Sequence, residues 1–227
     1  MTLEAINERL ESAYPQDVLR WAAETYGDGL AVVTSFQPTG IATLHMLSEI
    51  APGTTVLTLD TGLLFPETYA LMDEAEARFN LRLIRVRPAQ TVEQQAAQFG
   101  PNLWEQDPDV CCQRRKVVPL ADALAGYDAW ITGLRRDQSS GRRATPVVSW
   151  DDKHQKVKIS PLATWTESMV WTYIHAHELP YNPLHDRGYP SIGCYPCTRA
   201  VEAGSSDSRA GRWVGHAKTE CGIHLSN

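Results

Sequence analysis

Positive charge is in short supply: 21 Lys and Arg stand against 27 Asp and Glu, a formal net charge of −6 over 227 residues. That balance excludes a general attraction to nucleic acid or to an anionic membrane surface, so any anion site has to be local. Long apolar runs are lacking too. No stretch approaches the roughly eighteen apolar residues of a membrane-spanning helix, and the opening residues MTLEAINERLES carry acidic side chains and no apolar signal core. A cytoplasmic protein with no membrane partner is expected. Neither a Gly-Lys-Ser/Thr phosphate loop nor a GxGxxG fingerprint occurs, which removes two common nucleotide motifs. Internal repeats and low-complexity tracts are absent. Cysteine is scarce and odd in number, five in all; in a reducing compartment such cysteines are metal ligands or catalytic groups more often than disulfides.

What is present suits a globular α/β protein. The 43% hydrophobic residues and the length support one substantial core, and a single domain is expected. Leu3, Ile6 and Leu10, then Val18, Leu19, Ala22 and Ala23 beyond Pro15, read as two helical stripes. Continuous apolar runs of the kind found in buried parallel strands follow at 30–34 and 55–59, with further strands at 83–86, 128–132 and 157–159. Helices are expected over 41–50, from about Pro66, over 111–124 with a break near Pro119, and from a Thr164–Glu167 capping box to about His177. This alternation predicts a largely parallel sheet flanked by helices, with ligands at the carboxyl ends of its strands. Three strand ends, 34–40, 60–62 and 132–143, are expected to face one crevice. From Leu179 onward, Pro180, Pro183, Gly188, Pro190, Gly193 and Pro196 oppose regular structure, so something other than a hydrogen-bonded ladder has to hold that segment.

Three constellations carry chemistry. Cys111-Cys112 with Cys194-Tyr-Pro-Cys197 supplies four thiols, and vicinal cysteines are awkward around one tetrahedral ion. A [4Fe-4S] cluster, whose separate iron corners each take one thiolate, fits them better than zinc, with disulfides a distant third. Arg135, Arg136, Arg142 and Arg143 crowd a strand end within nine residues; the bland alternative to an anion site there is a solvated charged loop. Lys116, a turn beyond Cys112, is either a helix-surface lysine or a cation beside the metal centre. The loop Ser35-Phe-Gln-Pro-Thr-Gly40 ahead of a helix is a weak anion-cradle signal. Cys221, in Lys218-Thr-Glu-Cys-Gly-Ile-His224, is the thiol with no cysteine near it; beside Lys218 and His224 it is placed to react as a thiolate, or else is merely a surface thiol.

Taken together, Leu59-Asp-Thr-Gly62, Cys111-Cys112 with Arg115-Lys116, Thr132-Gly-Leu-Arg-Arg-Asp-Gln-Ser139, Ser191-Ile-Gly-Cys-Tyr-Pro-Cys197 and Glu220-Cys-Gly-Ile-His224 resemble the bacterial assimilatory adenylyl-sulfate (APS) reductases, within the sulfonucleotide reductases. The resemblance implies an adenine nucleotide alpha hydrolase-like fold with a modified pyrophosphate loop. It implies a nucleotide-binding domain over 1–204 and a mobile catalytic tail over 205–227. A Cys221 thiolate would attack the sulfur of APS, AMP would leave, and thioredoxin or a glutaredoxin-like dithiol would release sulfite from the resulting S-sulfocysteine, in sulfate assimilation and cysteine biosynthesis. Cys111, Cys112, Cys194 and Cys197 would hold the cluster. Substrate would meet Lys116, Arg143, Arg209, Arg212 and His224, together with Ser35, Phe36 and Gln37 of the first loop, Asp60 and Gly62 of the second, and Gly133 and Arg135 of the third. The chain departs from the family pattern at Gln37-Pro38-Thr39 and at Trp213-Val-Gly-His216.

The nearest rival is a 3′-phosphoadenylyl-sulfate (PAPS) reductase, or dual use of both nucleotides, with Arg136 or Arg142 taking the extra ribose phosphate; the four cysteines favour APS. A nucleotide-binding or RNA-thiolation protein of the same superfamily, and a zinc-stapled binding module, are the rivals from other classes. A homo-oligomer is left open.

Overall fold

The structure, a computed structural model, describes residues 2–202 and 207–224. The boundary expected at 204/205 and residues 225–227 lie outside the described residues. The elements run α1 (Leu3–Leu10), α2 (Pro15–Tyr26), β1 (Leu30–Val33), α3 (Pro38–Ile50), β2 (Thr55–Leu59), α4 (Pro66–Arg78), β3 (Arg82–Val86), α5 (Val92–Phe99), α6 (Leu103–Gln106), α7 (Pro108–Cys112), α8 (Val118–Leu124), β4 (Ala129–Thr132), β5 (Val148–Asp151), β6 (Lys156–Ile159) and α9 (Glu167–Ala176). Short 3-10 turns lie between several of them, and a π-helical turn, Gln113–Val117, joins α7 to α8.

The strands form one six-stranded sheet in the order β3-β2-β1-β4-β6-β5. β1 pairs in parallel with β2 and β4, β4 with β6, and β5 closes the edge antiparallel to β6. The expected α/β architecture, a mostly parallel sheet flanked by helices, is therefore present. Its centre is where the apolar runs were: Leu30, Ala31 and Val32 of β1 and Ala129, Trp130 and Ile131 of β4 are buried, because a strand covered on both faces can afford no polar alternation. α1 packs on β5, α2 on β1 and α3, and α3 on α9.

By contacts the chain divides into two compact units interleaved in sequence: Met1–Thr58, Leu71–Ile84 and Leu124–Tyr181 form the first, Leu59–Ala70, Arg85–Ala123 and Asn182–Asn227 the second. Among the described residues no helix is long and apolar enough to cross a membrane.

Several boundaries differ from expectation for local reasons. α3 starts at Pro38, three residues early, because proline at the first helical position gives up an N–H that had no partner anyway. Pro119 does not break its helix, since it is the second residue of α8; the irregularity falls one turn earlier, in the π-helical turn. α9 is capped by Thr166, whose Oγ1 accepts from the Met169 amide at 3.3 Å, two residues beyond the expected box. The strand β5 was not anticipated: it is four residues long at the sheet edge, with Trp150 outward and 48% exposed.

Candidate active site

In the first unit, β1 and β4 lie side by side while β2 continues on the other flank of β1, so the strand order reverses at β1/β4. Loops after the two strands therefore open at the place where parallel sheets bind ligands. They touch: the Arg135 guanidinium donates to Thr39 Oγ1, and Gly133 lies against Thr39 and the Gly40 amide. Ser35 is exposed, and Phe36 has its side chain in the core at a φ of 56°, a left-handed conformation that a bulky residue adopts only when its surroundings impose it. What imposes it is Thr34, whose Oγ1 accepts from the Phe36 amide at 3.1 Å. Gln37 is the N-cap of α3 and makes no side-chain capping bond, which leaves first-turn amides for an anion.

This turn leaves no room for a Cβ at residue 40, which would collide with Thr34 Oγ1. Gly40→Ala is expected to break the Thr34–Phe36 bond and cost about 1–3 kcal/mol, seen as a lower urea midpoint at unchanged slope; a wild-type midpoint would show that the turn repacks freely.

The arginines beyond β4 are mostly engaged. Arg135 is buried and pairs with Asp137 at 3.0 Å. Arg136 holds Glu11 through two bonds of 2.5 and 2.9 Å and donates to the Thr145 carbonyl. Arg142 donates to Gln138, while Arg143 is exposed.

The second unit brings together most of the other predicted residues. Asp60 is buried; its Oδ1 accepts from the Tyr69 hydroxyl at 2.7 Å and the Gly62 amide at 3.1 Å, and its Oδ2 from Arg87. Burial alone would raise its carboxyl, but these donors hold it below the usual range, while burial and the Asp60 carboxylate push the Tyr69 phenol up to about 12. The residue between, Thr61, was overlooked in the sequence. Its Oγ1 lies 3.3 Å from Cys194 Sγ, and its carbonyl accepts from buried Arg115 at 2.6 Å. Arg115 also donates to Gln95 Oε1 at 3.1 Å, and Gln95 Nε2 lies 4.0 Å from Cys111 Sγ. The Asp60-Thr61-Gly62 turn and the Cys111 helix are thereby tied together.

All five cysteines are unpaired, and four of them, Cys111, Cys112, Cys194 and Cys197, line one cavity with Arg115, Lys116 and Trp104. Burial pushes the Cys111 thiol up to about 11 and the Cys197 thiol up to about 12, and raises Cys112. For Cys194 burial acts the same way, but Lys116, Thr61 and Arg212 outweigh it and lower the thiol. Lys116 itself is above the ordinary lysine range: burial would lower it, and attraction to Cys194, Cys112 and Cys221 in ionised form prevails. Among the described residues no three donors converge as the ligands of one metal ion would. Four thiols lining one cavity are a donor set that a thiolate-ligated metal centre could take.

The chain after Cys197 folds back on this cavity. The Trp213 amide donates to the Cys197 carbonyl at 3.0 Å, Thr198 bridges Arg212, and Trp213 is buried at a φ of 47°. Its ring gathers cations: Arg212 at 4.5 Å, Lys218 at 5.5 Å and Arg209 at 5.7 Å from the centroid. Arg212 Nη1 donates to Ser191 Oγ at 3.2 Å and the guanidinium lies over Gly193, in space that a Cβ would fill. Its Nε, like Trp213 Nε1, is buried with no acceptor among the described residues, a cost of about 1–3 kcal/mol each. Cys221 and His224 are half-buried, and Gly222 packs against Val117 of the π-helical turn. The site thus holds one thiol apart from the four at the cavity, within electrostatic reach of Lys116.

The model of the phosphoadenosine phosphosulfate reductase domain matches residues 29–200. An adenosine 5'-phosphosulfate reductase from Salinibacter ruber is 49% identical, over 99% of this chain and 89% of its own length. Another from Streptomyces coelicolor is 51% identical, over 98% of this chain and 94% of its own. Among solved structures, phosphoadenylyl-sulfate (PAPS) reductase from Candida auris, in a phosphate complex, superposes with a TM-score of 0.77 at 33% identity, covering 88% of this chain and 96% of that one.

Proposed function

We propose, for a chain that belongs to the phosphoadenosine phosphosulfate reductase domain family, that it reduces adenosine 5'-phosphosulfate to sulfite and AMP in sulfate assimilation, with Cys221 as the nucleophile. The observation that carries this reading is Cys221 lying outside the lining of the four-cysteine cavity yet within electrostatic reach of Lys116 and Cys112, with Arg212 Nε buried and without an acceptor among the described residues.

The Cys221 thiolate attacks the sulfur of the sulfuryl group. An S–S bond forms, the sulfur–oxygen bond to the phosphate breaks, and AMP leaves with that electron pair on its phosphate oxygen. A thiolate meeting an anion needs cations to bring the two together and to neutralise charge as it moves to the phosphate. Lys116 and Arg212 supply them, with Arg209 and His224 nearby in sequence. Thioredoxin or a glutaredoxin-like dithiol then attacks Cys221 Sγ: sulfite departs with the electron pair of the cleaved S–S bond, and the second thiol of the reductant resolves the mixed disulfide. Two electrons pass from dithiol to sulfur in all. Asp60, Gly62, Ser35, Phe36, Gln37, Gly133, Arg135 and Arg143 are assigned to the nucleotide by resemblance to the family.

Cys111, Cys112, Cys194 and Cys197 would hold a [4Fe-4S] cluster, and their arrangement around the cavity suits it. Held by these four thiolates, the cluster would staple the segment after Leu179 to the Cys111 helix. The residues beyond 204 act as the catalytic tail.

APS is favoured over PAPS by a specific feature of the first unit. Arg136 and Arg142, the cations to which an added ribose phosphate could appeal, are already bound by Glu11 and Gln138. Sulfite release driven by reduced thioredoxin should be at least about tenfold faster from APS than from PAPS, a difference of 1.4 kcal/mol. Equal rates would establish dual use, and sulfite from PAPS alone would overturn the assignment.

A further inference from the structure

The three residues ahead of the nucleophile are bound to two separate partners of opposite charge. Lys218, its side chain only 6% exposed, forms an ion pair with Asp109 in the first turn of α7 and lies over the Trp213 ring. Two residues on, Glu220 Oε2 accepts from Arg209 Nη2 at 3.2 Å, and the same nitrogen donates to the Thr219 carbonyl at 2.9 Å. Both members of that second pair are more than four-fifths buried. A cation of the tail thus binds an anion beside the cavity cysteines, and Glu220 binds Arg209 in the earlier part of the same tail, which is itself tied to the cavity by the bond from the Trp213 amide to the Cys197 carbonyl. The two contacts flank Thr219 and leave Cys221 as the next residue.

We infer that Lys218 and Glu220 are positioning residues: their ion pairs with Asp109 of α7 and with Arg209 of the tail's anchored earlier part form a two-point clasp that docks the end of the tail, residues 218–221, and holds Cys221 within electrostatic reach of Lys116. A single ion pair of this exposure would fix the tail weakly. Two pairs of opposite polarity, with a carbonyl between them, fix both its position and its direction. The clasp rests on the reading of Cys221 as nucleophile, and it adds which residues aim that thiol. Loss of either pair releases the tail, so Cys221 becomes more accessible to any reagent.

The test is the rate at which iodoacetamide labels Cys221, followed by peptide mass mapping on the anaerobically purified chain, with iron content as a check on folding. Wild type is compared with Glu220→Gln, Lys218→Gln, Asp109→Asn and the Asp109→Asn/Lys218→Gln double variant. Each single variant is expected to speed labelling about two- to fivefold, and the double variant no more than its stronger single, because both changes remove one bond. Wild-type labelling should also rise with salt, and that of the Asp109→Asn/Lys218→Gln variant less so. The variants change charge in opposite senses: Glu220→Gln removes a negative charge, Lys218→Gln a positive one. Rates that move in opposite directions would therefore show a field effect on the thiol and overturn the clasp, as would rates that do not move. A separate incubation of wild type with APS keeps the two ideas apart. No sulfonate on wild-type Cys221 would overturn the nucleophile assignment; a sulfonate there, with unmoved labelling in the variants, would overturn the clasp alone.

Discussion

Serine in place of Cys221 is expected to abolish turnover, by about a thousandfold or more, while APS still binds and iron content stays at the wild-type level. The alcohol does not ionise near neutral pH, so the anionic nucleophile is lost. The groups assigned to the substrate remain. Lys116 belongs to the π-helical turn, and Arg212 is held by Ser191 and the Trp213 ring, contacts that the substitution leaves in place. Kinetics and equilibrium binding of APS, measured on the same preparation, separate the two effects. A variant that turns over would remove the nucleophile from the account; one that fails to bind APS would make Cys221 a part of the binding surface instead.

Cys194→Ser is expected to fail differently, by losing the metal and the order of the segment around it. Bound iron should fall from about four per chain to less than about one, the visible colour should vanish, and the stretch 182–202 should become sensitive to protease. The reason lies in how few bonds hold that stretch. Tyr195 donates to the Leu63 carbonyl at 2.8 Å, Leu64 and Cys194 form an isolated bridge, and Asn182 donates to Thr68 at 3.1 Å. With the contacts of Cys194 to Thr61, Ser191 to Arg212 and Cys197 to Trp213 added, bonds of about 1 kcal/mol each still do not offset the ordering of twenty-odd residues, whereas ligation of a buried metal contributes several times as much as any one of them. Cys194 is also the thiol that Lys116 and Thr61 favour in ionised form, so its loss removes the ligand most ready to bind. A colourless, fully active variant would contradict the cluster assignment and its role as a staple.

Much of this was legible in the chain because it depends on local pattern. Buried runs at 30–33 and 129–132 have few structural alternatives, and they proved to be neighbouring central strands. The loops after them were identified as a ligand site by position, and Arg135 meets Thr39 there. The third strand end, 60–62, belongs to the second unit, a division that follows from contacts between residues far apart in sequence. Four cysteines at one cavity were likewise anticipated, because vicinal thiols and a second close pair restrict the chemistry that can use them.

The misses share a cause. Thr61, Gln95, Trp213, Asp109 and Glu220 are unremarkable residue types whose roles arise from a partner dozens of positions away or from a bend that aims them. Thr61 matters through Cys194, 133 positions on, and Lys218 through Asp109, 109 positions back. β5 was hidden by its shortness: four residues at the sheet edge carry too few apolar positions, Val148 and Trp150, to set a period. Arg136 shows the converse: in the sequence it is one of a basic cluster, and in the fold it is a bolt between the loop and Glu11 of the N-terminal segment.

The central claim is that Cys221 receives the sulfur of the substrate. Intact-mass analysis of the purified chain, mixed anaerobically with APS in the absence of reductant and then mapped by peptide, tests it directly. The account predicts one sulfonate per chain, located on Cys221, stable until reduced thioredoxin is added and then lost as sulfite appears. An unmodified Cys221 in a chain that retains its iron and binds APS would contradict it.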